Sequence, residues 1–245
     1  MNNDKVLLVT GASSDIGLAL INSIYNNYDK IICQYRSSTA LIEQLQARVG
    51  DRIMPIYADF SDINSTENFI NGVKKNCPSP THFVHLSSSN SRSINVKFAK
   101  TDWLQFEEEL NITFRSAVMC CQAFLPAMAK TNHGKIVIML SSHIVWEPAK
   151  AFSTAYTCVK HALYGLMKSL SAEYISKGVT INAISPSMID TKFLLIPDFV
   201  KELNIEKSPL KRLLTVDDIV PTIEFLLSSG ADTITGENIA ITGGC

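Results

Sequence analysis

Tyr-x-x-x-Lys occurs twice in this chain, at Tyr156/Lys160 and at Tyr164/Lys168. Residues four apart lie on one face of a helix, so either lysine can sit beside its tyrosine. A phenol titrates near ~10 in water, and a neighbouring ammonium favours its ionised form. A tyrosine so placed exchanges a proton with a reacting carbonyl or alcohol, the work of a general acid/base. Spacing alone does not choose between the two pairs. The choice falls to the elements that surround them.

Those elements follow a clear rhythm. Short apolar runs rich in β-branched residues recur at 6–9, 31–33, 53–57, 83–86, 136–140, 179–184 and 239–241. Between them lie stretches of helical period, with faces made by Leu18, Leu20, Ile21 and Ile24, by Leu41, Ile42 and Leu45, and by Phe69, Ile70 and Val73. Continuous apolar strands alternating with helices predict a doubly wound α/β fold of Rossmann type. Its parallel sheet would be covered on both faces and joined by right-handed crossovers. One domain over 1–245 is expected. Two irregular stretches break the rhythm, 87–101 after the fourth strand and 185–213 after the sixth. Ligands of open α/β sheets bind beyond the carboxyl ends of the strands, so both are expected pocket walls, with a substrate lid over about 187–213.

Composition narrows the function classes. Apolar residues make up 46% of the chain and charged residues 18%, a globular balance. A formal net charge of -1 provides no broad field for nucleic acid or an anionic membrane. The start, Met1-Asn2-Asn3-Asp4, is polar, and the run behind it is too short for a signal-peptide core. The apolar stretch 116–129 is interrupted by Gln122 and Pro126 and falls short of the ~20 residues of a spanning helix, so it reads as a buried helix. The six cysteines, at 33, 77, 120, 121, 158 and 245, show no paired C-x-x-C spacing, so no metal site or disulfide framework is indicated. A cytoplasmic protein with reduced thiols is the expectation.

The first strand runs into Thr10-Gly11-Ala12-Ser13-Ser14-Asp15-Ile16-Gly17. Glycines there permit a tight turn and close backbone approach, leaving N–H groups at a helix start to face a diphosphate. This segment resembles the T-G-x-x-x-G-x-G turn of the short-chain dehydrogenase/reductase family. Asp15 stands where the middle glycine usually lies, and as an early helix residue it could cap the helix. The second strand ends Gln34-Tyr35-Arg36-Ser37, with Tyr35 in the slot where NAD enzymes place an acidic residue. An arginine suits a 2'-phosphate, so Arg36 points to NADP(H). Asp59-Phe60 resembles the family's adenine-contacting position.

The resemblance extends over nearly the whole chain. Asn111 falls at the family's helix asparagine, which supports a water-mediated proton path to the lysine; read alone, it is an interior polar group on an apolar helix. Gly134 to Ser142 resembles the fifth strand with its terminal serine. Counting forward from Gly134 selects Ser141, whereas counting back from Tyr156 lands near Ser142 or His143. The resemblance implies a catalytic set of Asn111, Ser141, Tyr156 and Lys160, with Ser142 the alternative serine. The stretch Asn182 to Thr191 resembles the nicotinamide wall, with Ser187 in place of a glycine. His85-Leu86-Ser87-Ser88 stands where Asn-Asn-Ala-Gly is common, and His85 reads as a core or loop histidine. The implied cofactor contacts are Gly11, Ser13, Ser14, Asp15, Ile16, Gly17, Arg36, Ser37, Asp59, Phe60, Ser87, Tyr156, Lys160, Pro186, Ser187, Ile189 and Thr191.

The activity so implied is NADP(H)-dependent reduction of a ketone to a secondary alcohol, with a tyrosine as general acid. Chain length and the compact ending resemble the 3-oxoacyl thioester reductase branch, which implies a substrate carried on a carrier protein or coenzyme A; His143, Trp146 and 193–199 are the expected specificity elements. Homodimers or homotetramers are expected through 102–130 and 154–176, on faces that include Phe114, Val118, Leu163 and Leu166, although core packing explains those residues equally well. The other reading is a catalytically silent dinucleotide-binding sensor or scaffold, favoured by Asp15, 85–88 and Ser187. Within the family layout only Tyr156/Lys160 faces a nicotinamide.

Overall fold

In a computed structural model, which describes residues 4–89, 94–145, 151–192 and 196–244, every residue of the first strand, β1 (Val6–Thr10), is buried. Its side chains alternate: Val6 and Leu8 enter one core, while Leu7 and Val9 enter another on the opposite face. Period-two alternation with both faces apolar requires a covering layer on each side. The remaining strands are β2 (Lys30–Tyr35), β3 (Ile53–Tyr57), β4 (His82–His85), β5 (Gly134–Met139), β6 (Val179–Pro186) and β7 (Asn238–Ile241). They form a parallel sheet of seven strands in the order β3-β2-β1-β4-β5-β6-β7. Each falls on one of the seven runs expected from the sequence.

One face is covered by α3 (Ile63–Asn76), α5 (Ser116–Lys130) and α6 (Thr154–Tyr174), through Phe69, Phe124, Leu163 and Met167. The other is covered by α1 (Asp15–Ile24), α2 (Thr39–Val49) and α8 (Val216–Leu227), through Leu20, Ile21, Ile42, Leu45 and Ile223. The order reverses between β1 and β4, which neighbour each other and whose crossovers lead to opposite sides. That switch opens a crevice at the carboxyl ends of the strands.

Two expectations are corrected. The stretch 185–213 is not wholly irregular, because α7 (Asp198–Lys207) forms within it, starting beyond Pro197 with Asp198 in its first turn. The apolar helix is longer than 116–129: α4 (Trp103–Glu109), a π-helical turn (Leu110–Arg115) and α5 run on without a break over Trp103–Lys130. By length and composition these 28 residues could cross a membrane, but half of the apolar window is buried in the protein's own core. Of the faces expected to meet a second subunit, Leu163 is fully buried, and Phe114 and Leu166 pack against the core. Within the same 102–130 segment, Trp103 and Leu104 at the start of α4 are 68% and 71% exposed. Trp146, residues 193–195 and Cys245 lie outside the described residues.

His85, at the end of β4, joins the sheet to the π-turn. Its Nε2 lies 3.0 Å from the Thr113 carbonyl, which can only accept, so Nε2 carries the proton and Nδ1 accepts from the Thr10 hydroxyl at 2.9 Å. Burial pushes the imidazole down to about 4; the Thr113 carbonyl opposes this and the Lys160 charge adds to it. A depressed folded value means that the contribution to stability is present above the ordinary histidine range and is lost as pH falls from ~6.5 through about 4. His85→Gln keeps a donor and an acceptor without the titration. Thermal denaturation between pH 7 and pH 4 should show a shallower acid decline in this variant, by about one proton's worth of slope. An unchanged slope would remove His85 from the acid response.

Candidate active site

At the carboxyl end of β1 the chain turns through Gly11, whose φ of +69° favours glycine. The Gly11 N–H donates to Gln34 Oε1 at 2.8 Å, and its carbonyl accepts from the Ser14 hydroxyl at 2.8 Å. Ser14 caps α1, its Oγ accepting from the Gly17 N–H at 3.1 Å. A Cβ at Gly17 would lie 2.7 Å from the carbonyl oxygens of both Gly11 and Ala12, so glycine is needed there for close turn packing. Asp15 is therefore not the cap. Its carboxylate faces the segment after β6, accepting the Lys192 backbone N–H at 2.8 Å and pairing with Lys192 Nζ at 3.0 Å.

The turn opens into a cleft of about 430 Å³. One end is lined by Arg36, Ser37, Asp59 and Phe60, the middle by Gly11, Ser13 to Ile16 and Ser87, and the other end by Ser141, Tyr156, Lys160, Pro186, Ser187, Ile189 and Thr191. Every residue expected to touch a cofactor thus lines the cleft except Gly17, which shapes the turn from behind. Arg36 is exposed at the rim. Asp59 Oδ1 accepts from the Ser61 N–H and hydroxyl at 2.9 and 2.7 Å, fixing the loop after β3. The Ser187 hydroxyl donates to the Thr242 carbonyl at 3.3 Å, so this replacement of a glycine is absorbed by the chain after β7.

At the far end, β5 carries the chain to Ser141, and the start of α6 presents Tyr156 and Lys160. Ser141 shares the cleft wall with Tyr156 and pulls the phenol's proton affinity down, and its hydroxyl accepts the His143 N–H at 3.3 Å. Ser142 begins a tight turn (Ser142–Ile144), its carbonyl accepting from the Val145 N–H at 3.0 Å. Of the two serines, Ser141 is the one whose hydroxyl bears on the proton affinity of the tyrosine. The His143 ring packs edge-on against Tyr156, with centroids 5.2 Å apart. Lys160 is 2% exposed, donates to the Met139 carbonyl at 3.0 Å, and holds its ammonium 5.5 Å from the Tyr156 ring centre. The second Tyr/Lys pair lies elsewhere: Tyr164 packs on the core, and Lys168 donates to the Gly236 carbonyl at 2.9 Å.

The electrostatics correct one expectation. Proximity to the lysine does not make Tyr156 a phenolate here. Burial pushes its hydroxyl up to about 12, the Ser141 hydrogen bond pulls down, and the nearby Glu109 carboxylate pushes up again. Burial pulls Lys160 down to about 8, against the charge of Glu109. At neutral pH the site therefore holds a protonated phenol beside a mostly protonated ammonium.

Asn111 lies in the π-turn, outside the cleft lining, with its Oδ1 accepting from Arg115 Nη1 at 2.7 Å. Three residues escaped the sequence reading. Gln34 ties three loops together, accepting from Gly11, donating to the Ala58 carbonyl at 2.7 Å and accepting from the Ser87 hydroxyl at 3.3 Å. Glu109 is 1% exposed and accepts from Ser89 and, at 3.4 Å, from Thr113. It ends the acidic run Glu107-Glu108-Glu109, which reads as a solvent face; its helical spacing from Ile112 and Thr113, both buried, was the available sign. Arg115 is the third.

Comparison with known proteins gives a consistent picture. The family model described as "Enoyl-(Acyl carrier protein) reductase" matches residues 11–245. The 3-oxoacyl-[acyl-carrier-protein] reductase FabG of Staphylococcus epidermidis is 26% identical over 246 residues, covering 98% of each chain. Among solved structures, ElxO with NADP bound superposes with a TM-score of 0.86 at 24% identity, over 98% of each chain. A 3-oxoacyl-[acyl-carrier protein] reductase with bound NAD from Brucella melitensis gives 0.86 at 19% identity, over 99% of this chain and 91% of that one. The structural likenesses are likenesses of fold. With the family model spanning all but the first strand, the chain belongs to the short-chain dehydrogenase/reductase family of oxidoreductases.

Proposed function

We propose that this protein reduces a ketone to a secondary alcohol with NADP(H), and that its substrate is a 3-oxoacyl thioester on a carrier protein or coenzyme A. The observation that carries the reading is the protonated Tyr156 hydroxyl in the cleft, beside Ser141 and flanked by the Lys160 ammonium. The cleft fits a dinucleotide. A glycine turn that tolerates no Cβ at Gly17 aims the start of α1 into it, and a cation stands at its Arg36 end. When bound, the dinucleotide supplies the hydride.

The protein's own residues supply the rest. Ser141 and Tyr156 donate hydrogen bonds to the carbonyl oxygen, where negative charge develops, and Tyr156 gives up its proton to that oxygen. Lys160 stabilises the resulting phenolate and holds the ribose side of the cofactor. Ile94, Met188, Ile196 and Val200 give the substrate end an apolar wall suited to an acyl chain. Similarity to the Staphylococcus reductase supports the thioester class. The exposed Trp103 and Leu104 support association of subunits through α4.

Tyr156→Phe should lower turnover of a 3-oxoacyl-coenzyme A by at least about a thousandfold while leaving the fluorescence-measured NADPH affinity unchanged. Turnover near the unsubstituted rate would remove Tyr156 from the mechanism.

The pH dependence has a defined sign. Reduction needs both protons in place, and Lys160 is the first to lose its own, near 8. The reductive kcat/KM should be level through neutrality and fall as pH rises through about 8. A profile that rises across this range would contradict the assignment.

Arg36 is assigned to the 2'-phosphate. Arg36→Ala should weaken NADPH binding about tenfold or more with little change for NADH. Equal weakening of both, or tighter NADH than NADPH binding by the unsubstituted protein, would overturn the NADP(H) reading.

A further inference from the structure

Arg115 occupies an unusual place. It sits four residues beyond Asn111, at the last position of the π-turn, and is half-buried between that turn and the loop after β3. Its guanidinium is divided between two structures. Nη1 donates to Asn111 Oδ1 at 2.7 Å, while Nη2 donates to the Phe60 and Ser61 carbonyls at 2.9 and 3.1 Å. Phe60 and Asp59 line the cleft at its Arg36 end, and Asp59 accepts two hydrogen bonds from Ser61. The same π-turn carries Thr113, bound to His85 through its carbonyl and to Glu109 through its hydroxyl. One rigid fork therefore spans from the loop at the cofactor's adenosine end to the turn behind Tyr156 and Lys160.

Two features separate this from an ordinary surface contact. A π-turn departs from regular i→i+4 pairing and persists where its surroundings hold it. The planar guanidinium aims two nitrogens in fixed directions, which a lysine cannot reproduce. With Asn111 Oδ1 taken by Arg115, the asparagine side chain serves the turn's geometry.

We infer that Arg115 is a positioning residue that couples the adenosine end of the cleft to its catalytic end, acting on turnover through Asn111 and on cofactor affinity through the carbonyls of Phe60 and Ser61. This rests on the NADP(H) reductase reading. Ordering of the loop by the adenosine half of the cofactor is then passed through the guanidinium to the turn that backs the lysine.

The test uses the full chain with NADPH and a short 3-oxoacyl-coenzyme A, comparing Arg115→Met, Arg115→Lys, Asn111→Ala and the Arg115→Met/Asn111→Ala pair. Arg115→Met should raise the NADPH Kd and lower kcat, each by about tenfold, the scale of lost charge-assisted hydrogen bonds. In the Asn111→Ala background the same change should still raise Kd but lower kcat no further. Arg115→Lys should recover one of the two effects and not both; should Arg115→Met not fold, it carries the same readouts. Multiplicative kcat losses, or an unchanged Kd, would overturn the coupling. Amide exchange gives an answer independent of turnover: in Arg115→Met it should accelerate in 59–62 and 110–116 together, and acceleration in only one would also overturn it. Unsubstituted protein that binds NADPH but reduces no 3-oxo thioester would count against the substrate reading alone, with the Kd and exchange results still deciding Arg115.

Discussion

A lysine ammonium held out of water at the carboxyl edge of a parallel sheet is the constraint on which the rest of this site depends. Lys160 donates a hydrogen bond to the carbonyl of Met139, and burial draws its proton affinity down to about 8. A buried cation is costly unless nearby charges and dipoles offset it. Glu109 provides that offset, itself enclosed by Ser89 and Thr113. Burial keeps Tyr156 protonated, and the same carboxylate adds to that effect. Burial and one enclosed acid thus hold a cationic lysine and a neutral phenol together, the state that the proposed proton transfer to a developing alkoxide needs.

The sheet explains why these groups meet. Reversal of strand order between β1 and β4 opens the crevice, and β5 and α6 deliver Ser141, Tyr156 and Lys160 to its far end. Hydrogen bonds across the crevice mouth preserve its shape. Gln34 binds the ends of β1, β3 and β4, His85 binds β1 and β4 to the π-turn, and Arg115 binds that turn to the loop after β3. Each satisfies polar groups that the strand ends and the π-turn leave without regular partners. The Arg36 end of the cleft and its Tyr156 end therefore belong to one hydrogen-bonded frame.

The strands were legible in the sequence because a sheet buried on both faces writes itself as continuous apolar runs, and β1 through β7 each fall on such a run. The glycine turn was legible for a similar reason, since Gly17 admits no Cβ. What could not be read is pairing between distant residues. Asp15 looked like a local helix cap, whereas its partner Lys192 lies 177 residues away. Arg115 drew no reading from the sequence, because nothing in the order of residues places Phe60 and Ser61 beside it. The protonation of Tyr156 was misjudged because proximity of the lysine is visible in spacing, while the depth of the cleft and the buried Glu109 are not.

The central claim is that Tyr156 stands in the cleft as a neutral phenol, ready to give a proton rather than to take one. Ultraviolet titration of the protein, with the same titration of Tyr156→Phe subtracted, isolates this one hydroxyl. The account predicts no tyrosinate signal from Tyr156 as pH rises past the ordinary tyrosine range near ~10, with ionisation only toward about 12. A subtracted midpoint well below ~10 would show a phenolate favoured by Lys160 and would contradict it.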